Sequence, residues 1–183
     1  MKNVIVRCDD DFNKIDENTR IIEFYKYGGL FDVSNLELEN ITFTKMDVDI
    51  NSIPMNIKEL GLFDSDFNFD ELYKFQELEV LEITNRRVDI VDVLKLKKIY
   101  TLNLNFDEIL NIDRLCELET IENISIISTN LKNFEFLFSL KNLKSVAINI
   151  DEYSENKDLF LTLAKRGGLV SDMMGGIYNE IWW

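Results

Sequence analysis

Leu78-x-x-Leu81-x-Ile83 is followed 21 residues later by Ile99-x-x-Leu102-x-Leu104. These two stretches set a frame that can be carried outward in both directions. Upstream it fits Ile57-x-x-Leu60-x-Leu62 and Val33-x-x-Leu36-x-Leu38; downstream it fits Ile121-x-x-Ile124-x-Ile126 and Leu143-x-x-Val146-x-Ile148. Six segments thus share aliphatic residues at slots 1, 4 and 6, at spacings of 24, 21, 21, 22 and 22 residues. An eleventh slot holds Phe43, Phe67, Val88, Ile109, Leu131 and Tyr153. A unit this short cannot bury its apolar side alone and must stack on its neighbours, so the period predicts a solenoid.

Within each unit the alternation around slots 4 to 6 is that of a strand. Between strands the spacing changes to three, as in Leu131-x-x-Phe134-x-x-Leu137-x-x-Leu140 and Phe69-x-x-Leu72-x-x-Phe75, which predicts short helical or 3-10 returns. Strands joined by such crossovers run parallel. The expected fold is therefore α/β, with about six parallel strands on one side and short returns on the other.

Residues 1–32 fall outside the frame and read as an N-terminal cap, with β-prone runs at Val4–Arg7 and Ile21–Tyr25. The repeats occupy 33–153. Residues 154–183 read as a helix running to Arg166 and stopped by Gly167-Gly168, then a cap with an aromatic tail that ends in Trp182-Trp183.

The repeated pattern resembles leucine-rich repeats, of the 22-residue internalin-like class, over residues 33–153. The resemblance implies a curved solenoid whose concave face is the parallel sheet and whose usual work is protein recognition. The family's asparagine or cysteine at slot 9 is missing here, where Ile41, Ser65, Arg86, Asp107, Thr129 and Asp151 stand instead.

Composition narrows the partners. The chain has 34 acidic and 20 basic side chains among 183 residues, a formal net charge of -14. Such a charge repels nucleic acid and anionic lipid and favours a protein with a basic surface. The apolar run near Met1 is too short for a signal-peptide core, and no stretch approaches the ~20 apolar residues of a membrane span. With two distant cysteines, Cys8 and Cys116, expected to be reduced and buried, these features predict a cytoplasmic protein.

Catalysis finds little support. There is no histidine, which removes the usual Ser-His-Asp and Cys-His arrangements, and no glycine-rich nucleotide-binding motif occurs. Asp64-x-Asp66-x-Asn68-x-Asp70 begins like a calcium loop but has Phe69 and Phe75 where glycine and glutamate belong. No enzyme activity, cofactor, metal or small-molecule substrate is expected.

Residues between the inward slots face outward from a strand. Slot 3 then reads Asn35, Glu59, Val80, Thr101, Asn123 and Ser145; slot 5 reads Glu37, Gly61, Glu82, Asn103, Ser125 and Ala147; slot 7 reads Glu39, Phe63, Thr84, Asn105, Ile127 and Asn149. The candidate partner-binding residues are Glu37, Glu39, Glu59, Phe63, Glu82, Thr84, Asn103, Asn105 and Ile127, with Trp182 and Trp183 of the tail. An aromatic anchor among carboxylates suits a basic protein. Small size and acidity resemble stand-alone inhibitors, such as bacterial toxin immunity proteins or phage-encoded inhibitors, which work by steric and electrostatic blockade. A structural adaptor or regulatory subunit, docking through the concave face or the tail, is the alternative.

Overall fold

The computed structural model describes residues 2–128, 131–148 and 154–172. Its nine strands form one sheet in strict sequence order, every neighbouring pair parallel. They are β1 (Lys2–Val6), β2 (Thr19–Tyr25), β3 (Asn40–Thr44), β4 (Glu59–Phe63), β5 (Val80–Asp89), β6 (Thr101–Leu110), β7 (Asn123–Ser128), β8 (Ser145–Ile148) and β9 (Leu169–Asp172). At about 4.8 Å per step the sheet is roughly 38 Å across. This is the parallel solenoid read from the period, with nine strands among the described residues where about six were expected.

The three added strands lie at the ends. β1 pairs with β2 so that Val4 and Val6 face Ile22 and Phe24, and β9 sets Val170 beside Val146. Slot 4 is thus a continuous buried row from Val4 through Ile22, Ile41, Leu60, Leu81, Leu102, Ile124 and Val146 to Val170. Burial of such side chains is worth about 1.5–3 kcal/mol each. β2 escapes the pattern because its slot 1 is Thr19 where later units have an aliphatic residue. Thr19 is fully buried, and its hydroxyl accepts from the Asp16 N–H at 3.1 Å and donates to the Asp16 carboxylate at 3.4 Å. A buried hydroxyl with both functions met no longer carries an unpaired-group penalty.

The first predicted repeat needs correcting. Ile41 and Phe43, not Leu36 and Leu38, pair with Leu60 and Leu62, so the unit is Leu38-x-x-Ile41-x-Phe43. Two frames compete here and share Leu38. The β-branched and aromatic run Ile41-Thr42-Phe43-Thr44 suits a strand, whereas Ser34 is held in a turn by Asp32, which accepts from its N–H at 3.0 Å and its hydroxyl at 2.7 Å. Phe43 accordingly fills slot 6, and Val48 takes the eleventh slot.

The returns are 3-10 turns at Ile50–Ser52, Phe69–Lys74, Ile112–Glu117 and Glu135–Ser139, with single helical turns α1 (Asp9–Phe12) and α2 (Ile90–Val93). Three residues per turn puts Leu72 and Phe75, or Leu115 and Leu118, on one buried side. In three units slot 12 starts the return: Asp49 and Asp89 accept from the N–H two residues on, at 2.9 and 3.0 Å, and Asn68 precedes the turn Phe69–Lys74. Asp89 also accepts from Asn111 at 2.9 Å. These bonds, that from Asn111 first and that from Val91 second, hold its carboxyl below the ordinary carboxylate range. A depressed folded-state pKa means that the contribution is present at neutral pH and is lost as pH falls through that lowered value. Asp89→Ala is expected to cost about 1 kcal/mol at pH 7, with the deficit closing in acid; urea melts at both pH values measure it.

The strands leave the sheet in two ways. β2, β3 and β4 end at a left-handed slot 8, occupied by Lys26, Lys45 and Asp64 with φ of 51°, 57° and 49°. Their N–H groups still bond across the ladder, to Thr44, Phe63 and Thr84 oxygens. β5 and β6 instead stay extended through slot 12. In place of a slot 9 asparagine, buried Ser65 accepts from the Met46 N–H at 3.4 Å and donates to the Phe63 oxygen at 3.1 Å.

Both ends are closed by aromatic packing. Phe24 stacks on Phe43 at 5.3 Å, with Phe12, Tyr27 and Phe31 around it. At the other end the helix α3 (Lys157–Lys165) buries Phe160 against Phe134 at 5.3 Å. It ends in a left-handed Gly167 with φ 93°, and the Gly168 N–H returns to the Leu163 oxygen at 3.2 Å, a glycine C-cap. Cys8 and Cys116 are free thiols as expected, but both are exposed instead of buried.

Candidate functional site

The open face of the sheet is made of slots 3, 5 and 7. β4 to β7 place Glu59, Phe63, Glu82, Thr84, Asn103, Asn105 and Ile127 there, in the registers Phe63↔Thr84, Glu82↔Asn103 and Asn105↔Ile127. Glu37 and Glu39 do not join them. Both precede β3, because in the corrected frame Glu37 stands just before slot 1 and Glu39 falls at slot 2, one residue short of the strand. Glu37 is exposed and pairs with Arg20 at 3.5 Å, and the Glu39 oxygen receives the Lys58 and Glu59 N–H groups where β4 begins. Asn149, Trp182 and Trp183 lie outside the described residues.

A groove of about 360 Å³ opens on this face between Phe63 and Ala147, flanked by Glu82, Thr84, Asn103, Asn105 and Ile127. Phe63 is half-buried because its ring lies over Gly61, where an added Cβ would stand 3.0 Å from the ring edge and 2.9 Å from the Thr42 hydroxyl. Glycine here lets the ring lie down and become one wall of the groove.

The carboxylates of the face share one device. Asn40 donates to Glu59 at 2.7 Å, Asn103 to Glu82 at 2.7 Å, and Asn3 to Glu23 at 3.3 Å. Each acid is oriented by a neutral amide from an adjacent strand, so its charge is held in place and left uncompensated. Slots 3, 5 and 7 contain no lysine or arginine within the nine strands. The cations sit one step away in slot 2, where Lys58 pairs with Glu79 at 3.6 Å and Lys144 with Glu122 at 2.6 Å. In that row Tyr100 donates to Glu79 at 3.3 Å; burial, then the Glu79 charge, raises its pKa.

Sequence reading marked Val4–Arg7 and Ile21–Tyr25 as β-prone but assigned them to a cap, so it left β1 and β2 out of this face. They add Ile5 at 40% exposure and Tyr25 at 43%, together with Ile21 and Glu23. Val4-x-Val6 and Ile22-x-Phe24 carried the alternation that marks them, but units 19 residues long, from Thr19 to Leu38 and from Leu38 to Ile57, break the period of 21 or 22.

No three histidine, cysteine or acidic side chains converge on a common point among the described residues. No helix of the described residues is long and apolar enough to cross a membrane. Neither a family model nor a curated protein matches the sequence. Among solved structures the chain is similar to an internalin (inlF) from Listeria monocytogenes strain 4b F2365, at 13% identity and a TM-score of 0.43, over 84% of this chain. The match takes in 61% of the internalin chain. The fold class rests on the strand order and register above.

Proposed function

We propose that the protein works by binding another protein on the open face of its sheet, as a small acidic inhibitor of the toxin-immunity or phage-inhibitor kind. It does so without catalysis, in the cytoplasm, by covering a basic surface of its target. The observation that carries this reading is the set of glutamates held by asparagines, with no cation among them, beside a groove walled by Phe63. Arginine or lysine of a partner meets fixed, unpaired acceptors there, and an apolar side chain finds the ring.

Immobilised protein is expected to retain a basic protein from a lysate of its own host. For that isolated partner, Phe63→Ala is expected to weaken binding about tenfold or more, the loss typical of a central aromatic anchor. Titration calorimetry measures it. An unaltered Kd, with an unaltered circular dichroism spectrum, would remove the open face from the interaction.

A further inference from the structure

A second and larger groove, of about 1030 Å³, lies at the ends of β2, β3 and β4, away from the open face. Its floor is apolar: Phe31, Met46, Val48 and Phe67 line it and are all partly exposed. Leu30, at its lip beside Gly28-Gly29, is 99% exposed. The change of exit geometry makes this space, since three strands stop at slot 7 while β5 and β6 run on.

Charge says what fits there. Slot 10 of the two units flanking the groove holds Asp47 and Asp66, set side by side by a parallel bridge. Among the described residues neither carboxylate has a hydrogen bond or an ion pair. In the next two units the same slot holds Arg87 and Glu108, which pair at 3.2 Å. Like charges directly opposite on neighbouring strands repel, so the Asp47-Asp66 step lacks the compensation that its neighbour has. The two lysines at the groove do not supply it: Lys45 lies 3.9 Å from Asp64, and Lys26 sits over the Tyr25 ring at 5.3 Å.

We propose that this groove is a second docking site, for a segment of a partner protein that carries a bulky apolar side chain close to an arginine. The apolar side chain seats against Leu30, Phe31 and Phe67. The guanidinium lies between Asp47 and Asp66, where its planar set of donors can serve both carboxylates. A second copy of this chain is a poor occupant, because two bodies of net charge -14 repel.

Short random peptides displayed on phage and selected against the full-length protein test this. The expected outcome is enrichment of peptides with an aromatic or long aliphatic residue near arginine. Their affinity should fall about tenfold or more with Leu30→Asp and with Asp47→Asn plus Asp66→Asn, and stay unchanged with Phe63→Ala. None of these variants threatens the fold: Leu30 stands in solvent, and the asparagines relieve a repulsion. No enrichment, or enriched peptides indifferent to Leu30, Asp47 and Asp66, would overturn the proposal. So would dimerisation in sedimentation that Leu30→Asp abolishes. Because Phe63→Ala reports only on the open face, failure of one site is told apart from failure of the other.

Discussion

Phe24→Ala is expected to lower the unfolding free energy by about 3–5 kcal/mol, the range for removing a fully buried phenylalanine. Phe24 is 1% exposed and touches four other rings, at 6.4 Å to Phe12, 5.8 Å to Tyr27, 4.7 Å to Phe31 and 5.3 Å to Phe43. Alanine leaves a cavity that these rings cannot close without breaking their stacking, and the Tyr27 hydroxyl is further tied to Asp9 at 2.9 Å. In an array where each unit contacts only its neighbours, damage at one end also separates that end from the rest. Urea unfolding followed by tyrosine and tryptophan fluorescence should show a lower midpoint. A loss under about 1 kcal/mol would mean that β2 is a loosely attached cap and not a working strand of the core.

Glu59→Lys combined with Glu82→Lys is expected to slow association with a basic partner by about tenfold to a hundredfold at low salt. The expectation belongs to the proposed inhibitor reading and follows from how these acids are held. Their asparagine partners donate without neutralising, so each carboxylate contributes its whole charge to the field above the sheet. Reversal changes the local charge by four units, and screening over the ~8 Å Debye length at physiological salt should shrink the effect. Stopped-flow rates across a salt series measure it. Equal rates for both proteins at low salt would show that the encounter is not steered by this face. Glu37, read from sequence as part of the same surface, is expected to matter less, since it lies before β3 and is paired with Arg20.

The middle of the fold was legible because it obeys one number. From Ile57 to Ile148 the register of every strand follows from the period, and the outward residues Glu59, Phe63, Glu82, Thr84, Asn103, Asn105 and Ile127 land where alternation puts them. The ends were not legible, for two physical reasons. A buried threonine can stand in an aliphatic slot when a neighbouring aspartate satisfies it, and Thr19 in this way hides that the β-prone run of β2 belongs to the repeat. A leucine shared by two overlapping frames cannot choose between them, and at Leu38 the choice fell to the strand preference of the following residues. The slot 12 caps at Asp49 and Asp89 each stand directly before an isoleucine, a capping signal masked by the abundance of acids elsewhere.

The long strands β5 and β6 matter beyond the shape of the edge. Theirs is the longest ladder in the sheet, continuing from Val80↔Thr101 to Asp89↔Leu110, and it joins segments only 21 residues apart. Closing so short a loop costs little chain entropy, and the gain from many rungs arrives at once. Growth from this pair needs no contact between distant parts of the chain, because each new strand meets only the one beside it. The molecule can therefore assemble from its centre outward in both directions, with the two aromatic ends joining last.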